Sequence, residues 1–220
     1  MPIRFGFGGE PATRWWIAFF ALTIGAERLE LSRYLPKPRW ASALFVLVAA
    51  ALLAGAAVST RFTGFALVLL AAWLLVFDIA RRTIFSGGLT RYIAACLLAG
   101  YGWLLLGGVM LASGYPRDAA LHAFFLGFVF SMVFGHAPII VPAVLRRALP
   151  YTSWFYLPLA LLHLTLAARV AGALASQAGW QFGGAIGNAA AIGAFILTAV
   201  ASAVSARTPA ASPPAAGRFT

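Results

Sequence analysis

Apolar stretches long enough to cross the hydrocarbon core of a bilayer follow one another along almost the whole chain. They fall at 14–33, 41–59, 63–80, 91–113, 119–145, 153–174 and 182–205. Roughly 20 helical residues cover the ~30 Å of a membrane interior, where every backbone N–H and C=O must be satisfied within the segment. These lengths select helices, and we expect an all-α integral membrane bundle of seven transmembrane helices. The bundle forms a single domain over 1–206, followed by a Pro/Ala-rich tail at 207–220 that we expect to be disordered. The first run is the weakest: its apolar core from Trp15 to Ala26 leads into AERLELSRYL, so it spans at a tilt or turns along the interface. A composition that is 62% hydrophobic and only 10% charged lies far from that of a soluble domain. The N-terminal MPIRFGFGGEPATR lacks the continuous apolar core of a signal peptide, and the first helix is expected in the mature protein.

The arginines give an orientation. The segments after the first, third and fifth runs, with the tail, hold Arg28, Arg33, Lys37, Arg39, Arg81, Arg82, Arg91, Arg146, Arg147, Arg207 and Arg218, against Arg4, Arg14, Arg61 and Arg117 at the other end. Eleven against four places the N-terminus outside and the C-terminus in the cytoplasm, as for a multi-pass protein of a bacterial inner membrane. The net charge of +11 then reflects topology and attraction to the lipid bilayer; no basic soluble domain exists to bind nucleic acid. A single cysteine, Cys96, excludes an intramolecular disulfide and a multi-cysteine zinc site. No internal repeat suggests a transporter's inverted halves. The carboxylates Glu27, Glu30, Asp78 and Asp118 all have arginines close by in sequence and read as helix-end charges rather than a proton relay.

All three histidines, His122, His136 and His163, lie inside apolar runs. His136 is 14 residues before Pro150 and His163 is 13 after it. At about 1.5 Å per helical residue the two should reach similar depth on neighbouring antiparallel helices, where they could clasp one metal ion or the two faces of a haem b iron. Ala123, Gly127, Ser131 and Gly135 recur every fourth residue, making a shallow stripe that suits either a helix backbone or a flat porphyrin. Pro138 and Pro142 should kink the helix beyond His136. Met110 and His122 are about equally far from the Tyr115–Pro116 turn, a second candidate axial pair. Against each assignment stands the ordinary role of a buried histidine, which hydrogen-bonds a neighbouring helix.

The string His122-Ala123, Gly127, Met132 resembles the His-Ala-x3-Gly-x4-Met segment of the NnrS family, haem-containing polytopic proteins distantly similar to haem-copper oxidases. The likeness covers four positions in eleven residues, and the family's Gly-His-Thr-Gly pattern is replaced here by Gly135-His136-Ala137-Pro138. It implies that His122 is a haem or metal ligand in redox or nitric-oxide and oxygen chemistry, with a diatomic gas or a quinone as partner. Two other functions fit the same residues: a haem-free accessory subunit packed into a larger membrane complex or homo-oligomer, and a small-solute transporter.

Overall fold

A computed structural model describes residues 9–34, 38–146 and 149–206, so the tail at 207–220 lies outside the described residues. All the regular structure described is helical. The helices are α1 (Gly9–Leu31), α2 (Trp40–Val58), α3 (Thr60–Phe77), the single turn α4 (Ala80–Thr83), α5 (Gly88–Ser113), α6, α7 (Tyr156–Leu174) and α8 (Ala178–Ser205). Helix α6 runs as α-helix over Arg117–His122, as π-helix over Ala123–Val129 and again as α-helix over Phe130–Leu145. Six of these helices, α2, α3, α5, α6, α7 and α8, are long and apolar enough to cross a membrane. Helix α1 has the length, 23 residues, but carries the charges of Glu27, Arg28 and Glu30 in its last turns and is not among the six.

Local chemistry sets several boundaries. Ser59 caps α3 by accepting from Phe62 N–H, and Gly114 closes α5 in the left-handed region at φ 73°, which glycine adopts without steric cost. Pro138 and Pro142 sit inside the last segment of α6, as the sequence expects. Packing depends on small residues at the crossings. A Cβ added to Gly64 would stand 2.4 Å from Ala112 N, so α3 and α5 approach at backbone distance.

Two apolar cores result. The larger gathers Ile17 and Ala21 of α1, Leu52 of α2, Leu67 and Leu70 of α3, Tyr101 and Leu104 of α5, and Phe124 and Phe128 of α6. The smaller lies between α5, α6, α7 and α8 around Tyr92, Phe134, Phe155 and Phe195, with Phe134 and Phe195 stacked at 3.9 Å. Large apolar side chains such as Trp16, Phe62, Leu164, Phe182 and Leu197 are exposed on the outer surface, where a water-soluble bundle would carry charge.

Candidate functional site: a buried charge cluster beside a lateral cleft

The three histidines have three different surroundings. His163 accepts from the indole N–H of Trp103 at 2.9 Å through Nδ1, which leaves the proton on Nε2, a buried atom with no partner among the described residues. His136 donates from Nδ1 to the Met132 carbonyl at 2.8 Å, and its Nε2 accepts from Arg28 Nη2 at 3.2 Å. His122 donates from Nδ1 to the Asp118 carbonyl at 2.7 Å, with the Asp118 carboxylate 3.4 Å away and Arg169 holding that carboxylate at 3.2 Å. Its Nε2 makes no hydrogen bond among the described residues.

The equal-depth pairing of His136 with His163 is corrected here. The Arg169–Asp118 ion pair fixes the register of α6 against α7. His163, six residues before Arg169, therefore lies level with Phe124, six residues after Asp118. His136 is a further twelve residues along, roughly 18 Å at the α-helical rise. The chain between the two helices is not a symmetric turn: it runs from Arg146 in the left-handed region at φ 49° to the 3₁₀ turn Ser153–Phe155, so distance from Pro150 does not measure depth. His136 consequently turns to α1 and His163 to α5.

The small-residue stripe is filled by protein. Ideal Cβ atoms at Gly107 and Gly100 of α5 would meet Ala123 at 3.4 Å and Ser131 at 3.3 Å, one at Gly127 would stand 2.4 Å from Trp103 Cβ, and one at Gly135 would meet Cys96 at 3.0 Å. Helix α5 thus occupies the whole groove that a porphyrin would need, and the residues between α6 and α7 do not fit a haem clasped by His136 and His163. Met110 is buried in the larger core while His122 is only partly covered.

The group that the sequence did not single out centres on Arg28. Its side chain is 6% exposed, although it sits only three residues from the end of α1. Three features surround it: His136 Nε2, Glu27 at 3.7 Å, and the buried carboxyl of Asp78. Asp78 accepts from Ala80 N–H at 2.7 Å through Oδ1, turning its other oxygen inward. Arg81, its neighbour in sequence, bonds instead to the Val76 carbonyl. Asp78 faces the Tyr101 hydroxyl and the two answer one another, while Arg28 Nε lacks a partner among the described residues. Buried polar atoms are normally paired, so the open Arg28 Nε marks room for a ligand's polar atom or ordered water. Beside the cluster runs a cleft of about 410 Å³, walled by Phe20, Ile24, Met132 and Ile140 and ending at Glu27, Arg28 and His136. Ile140 is half exposed, so the cleft opens sideways toward the lipid-facing surface.

A family model described as Domain of unknown function (DUF8744) matches residues 6–204, which takes in α1 to α7, all but the last residue of α8, and every residue of the cluster. The chain belongs to that family. No curated protein and no solved structure matches it. Within this DUF8744 chain, no group of three or more His, Cys, Asp or Glu side chains that could hold a metal ion occurs among the described residues.

Proposed function

We propose that the chain is a multi-pass protein of a bacterial cytoplasmic membrane that binds a neutral, hydrogen-bonding amphiphile of the quinone or quinol class. The head would enter the cleft between α1 and α6, and an isoprenoid-like tail would lie along Phe20, Ile24, Met132 and Ile140. The observation that carries this reading is an apolar lateral cleft that ends on a buried donor without a partner among the described residues. Arg28 Nε–H is that donor, and the Glu27 carboxylate beside it offers an acceptor. A head that both accepts and donates matches this set. A phosphate or carboxylate head matches it poorly, because Glu27 and Asp78 already oppose the Arg28 charge. An ionisable group buried inside the bundle marks a candidate site, since burying it unpaired is costly. The test is titration of the purified protein with a short-chain quinone, followed by quenching of tryptophan fluorescence, together with solvent extraction of lipid that co-purifies. Saturable binding that Arg28→Gln and His136→Leu each weaken by about tenfold, the value of one lost charge-assisted bond, supports the reading. Binding equal to that of empty micelles, or unchanged in both variants, overturns it.

One observation favours haem b as a second reading, at a different place. His122 has its Nδ1–H oriented by Asp118 and its Nε2 open, the arrangement of an imidazole prepared to ligate, and it is the residue singled out by the NnrS-like string. A hollow of about 230 Å³ lined by Leu121, His122, Phe125 and Leu126 lies beside it, too shallow for a whole porphyrin without a covering subunit or second copy. When bound, a haem there would supply one-electron or diatomic-gas chemistry. A Soret band lost in His122→Ala but kept in His136→Leu and His163→Leu is the expected result; colourless protein from haem-replete cells removes the reading.

A further inference from the structure

The arginine-poor end of the bundle gathers most of its few cations in one place. A pocket of about 420 Å³ there is lined by Arg14, Arg61 and Arg117, together with Ser59, Gly114 and Tyr115. Those are three of the four arginines that the sequence assigns to this end, to which the structure adds Arg169, held by Asp118. No carboxylate occurs among its described lining residues. Guanidinium side chains from three helices around one pocket raise its positive potential, which favours an anion there.

Helix polarity adds to the same field. Arg61 lies in the first turn of α3, just after the Ser59 cap, and Arg117 opens α6, so both positive helix poles point into the pocket. Arg14 reaches it from the second turn of α1, and its Nε is buried with no partner among the described residues. Gly114, in the left-handed turn that ends α5, puts no side chain between the Arg61 guanidinium and the pocket: an added Cβ would stand 3.5 Å from Arg61 Nη2. Two planar guanidiniums on separate helices suit the several oxygens of a tetrahedral anion better than they suit a single carboxylate.

We propose that this pocket binds a phosphate-type oxyanion, held by Arg14 and Arg61 with the α3 N-terminus behind it. The anion comes either free from the aqueous phase or as the headgroup of an anionic phospholipid. The proposal is independent of the cleft at the opposite end of the bundle. In its test, the full chain is placed in phosphatidylcholine nanodiscs and titrated with inorganic phosphate against chloride at matched ionic strength. A parallel arm replaces part of the phosphatidylcholine with phosphatidylglycerol. The readout is the thermal unfolding midpoint, with bound phosphorus followed by ³¹P NMR. A rise in midpoint with phosphate alone identifies a free oxyanion, and a rise with phosphatidylglycerol alone identifies a headgroup. Either supports the site if Arg61→Gln and Arg14→Gln each weaken the response by about tenfold while Arg61→Lys retains part of it. Should Arg61→Gln fail to fold, Arg14→Gln and Arg61→Lys decide alone. No rise in either arm, or equal responses from wild type and Arg14→Gln, overturns the proposal.

Discussion

His136 and His163 are the same side chain on neighbouring helices and both are half-buried, yet one stands in a charged cluster and the other against a single indole. Around His136 stand Arg28, Glu27 and Asp78, with the open Arg28 Nε and a cleft that reaches the lateral surface. Around His163 there is one polar contact, the Trp103 indole, and Trp103 is itself locked against Gly127. The difference teaches that a buried histidine takes its role from its neighbours on other helices. A charged cluster beside a cleft can receive something, while a hydrogen bond between α5 and α7 holds helices together.

The largest test of that contrast is Asp78→Ala, which strips the charged region of a buried acceptor facing Arg28. It leaves the buried Ala80 N–H without its acceptor and Arg28 with less opposing charge, a loss of about 3 kcal/mol, so the variant should unfold at markedly lower denaturant, and Asp78→Asn, which keeps an acceptor for Ala80 N–H, should lose less. Wild-type stability in Asp78→Ala would mean the cluster is not held by charge. Beside His163, Gly127→Leu should cost about 1–3 kcal/mol by overpacking against Trp103, and the loss should shrink in a Trp103→Ala background. Equal losses in both backgrounds would place the tight contact elsewhere. His136→Leu should then destabilise by about 1.5–3 kcal/mol, because a charged donor is left unmet, and His163→Leu by about 0.6 kcal/mol. Reversal of that order in matched chemical unfolding would break the comparison.

The smallest effect concerns pH. Burial raises the Asp78 carboxyl above the usual carboxylate range, against the opposing pull of the Ala80 N–H and Arg28. A carboxyl whose folded value lies above its unfolded value binds more protons when folded. Its contribution is therefore favourable at low pH and is lost as pH rises through the window from the ordinary to the raised value. Unfolding curves between pH 4 and about 7 should show this slope in the wild type and lose it in Asp78→Asn; an unchanged slope would assign it to another group.

The long helices were legible because each is written as one apolar run, and the ends of α2, α5 and α7 fall within a few residues of the expected ones. The stripe from Ala123 to Gly135 was legible as a surface of close approach, though not what approaches it, since α5 is 16 or more residues away in sequence. The charged cluster was not legible. Arg28 and His136 are 108 residues apart and meet only because α1 and α6 lie side by side in parallel, as the Phe20–Phe125 ring contact also records. Asp78 looked paired with Arg81 and Arg82 because sequence distance carries no information on which way a helix-end side chain turns. The depth of His163 failed for a related reason: it assumed a symmetric connection, whereas a distant ion pair, Arg169–Asp118, sets the register.

The π-helical stretch of α6 has a consequence for how the helix is geared. In it the backbone bonds reach one residue further than in an α-helix, as from Phe130 N–H to the Phe125 carbonyl. One residue more per bonded turn retards the winding, and one residue of an α-helix corresponds to about 100° of rotation. The stretch therefore acts as a phase adjuster, letting His122 and His136 be aimed independently although one continuous rod carries both. Wound as ordinary α-helix, the same seven residues from Ala123 to Val129 would carry His136 about 100° further round, away from Arg28. Deleting one residue there would take out the extra residue itself, so the rod would return to ordinary winding with its two ends still close to their present step.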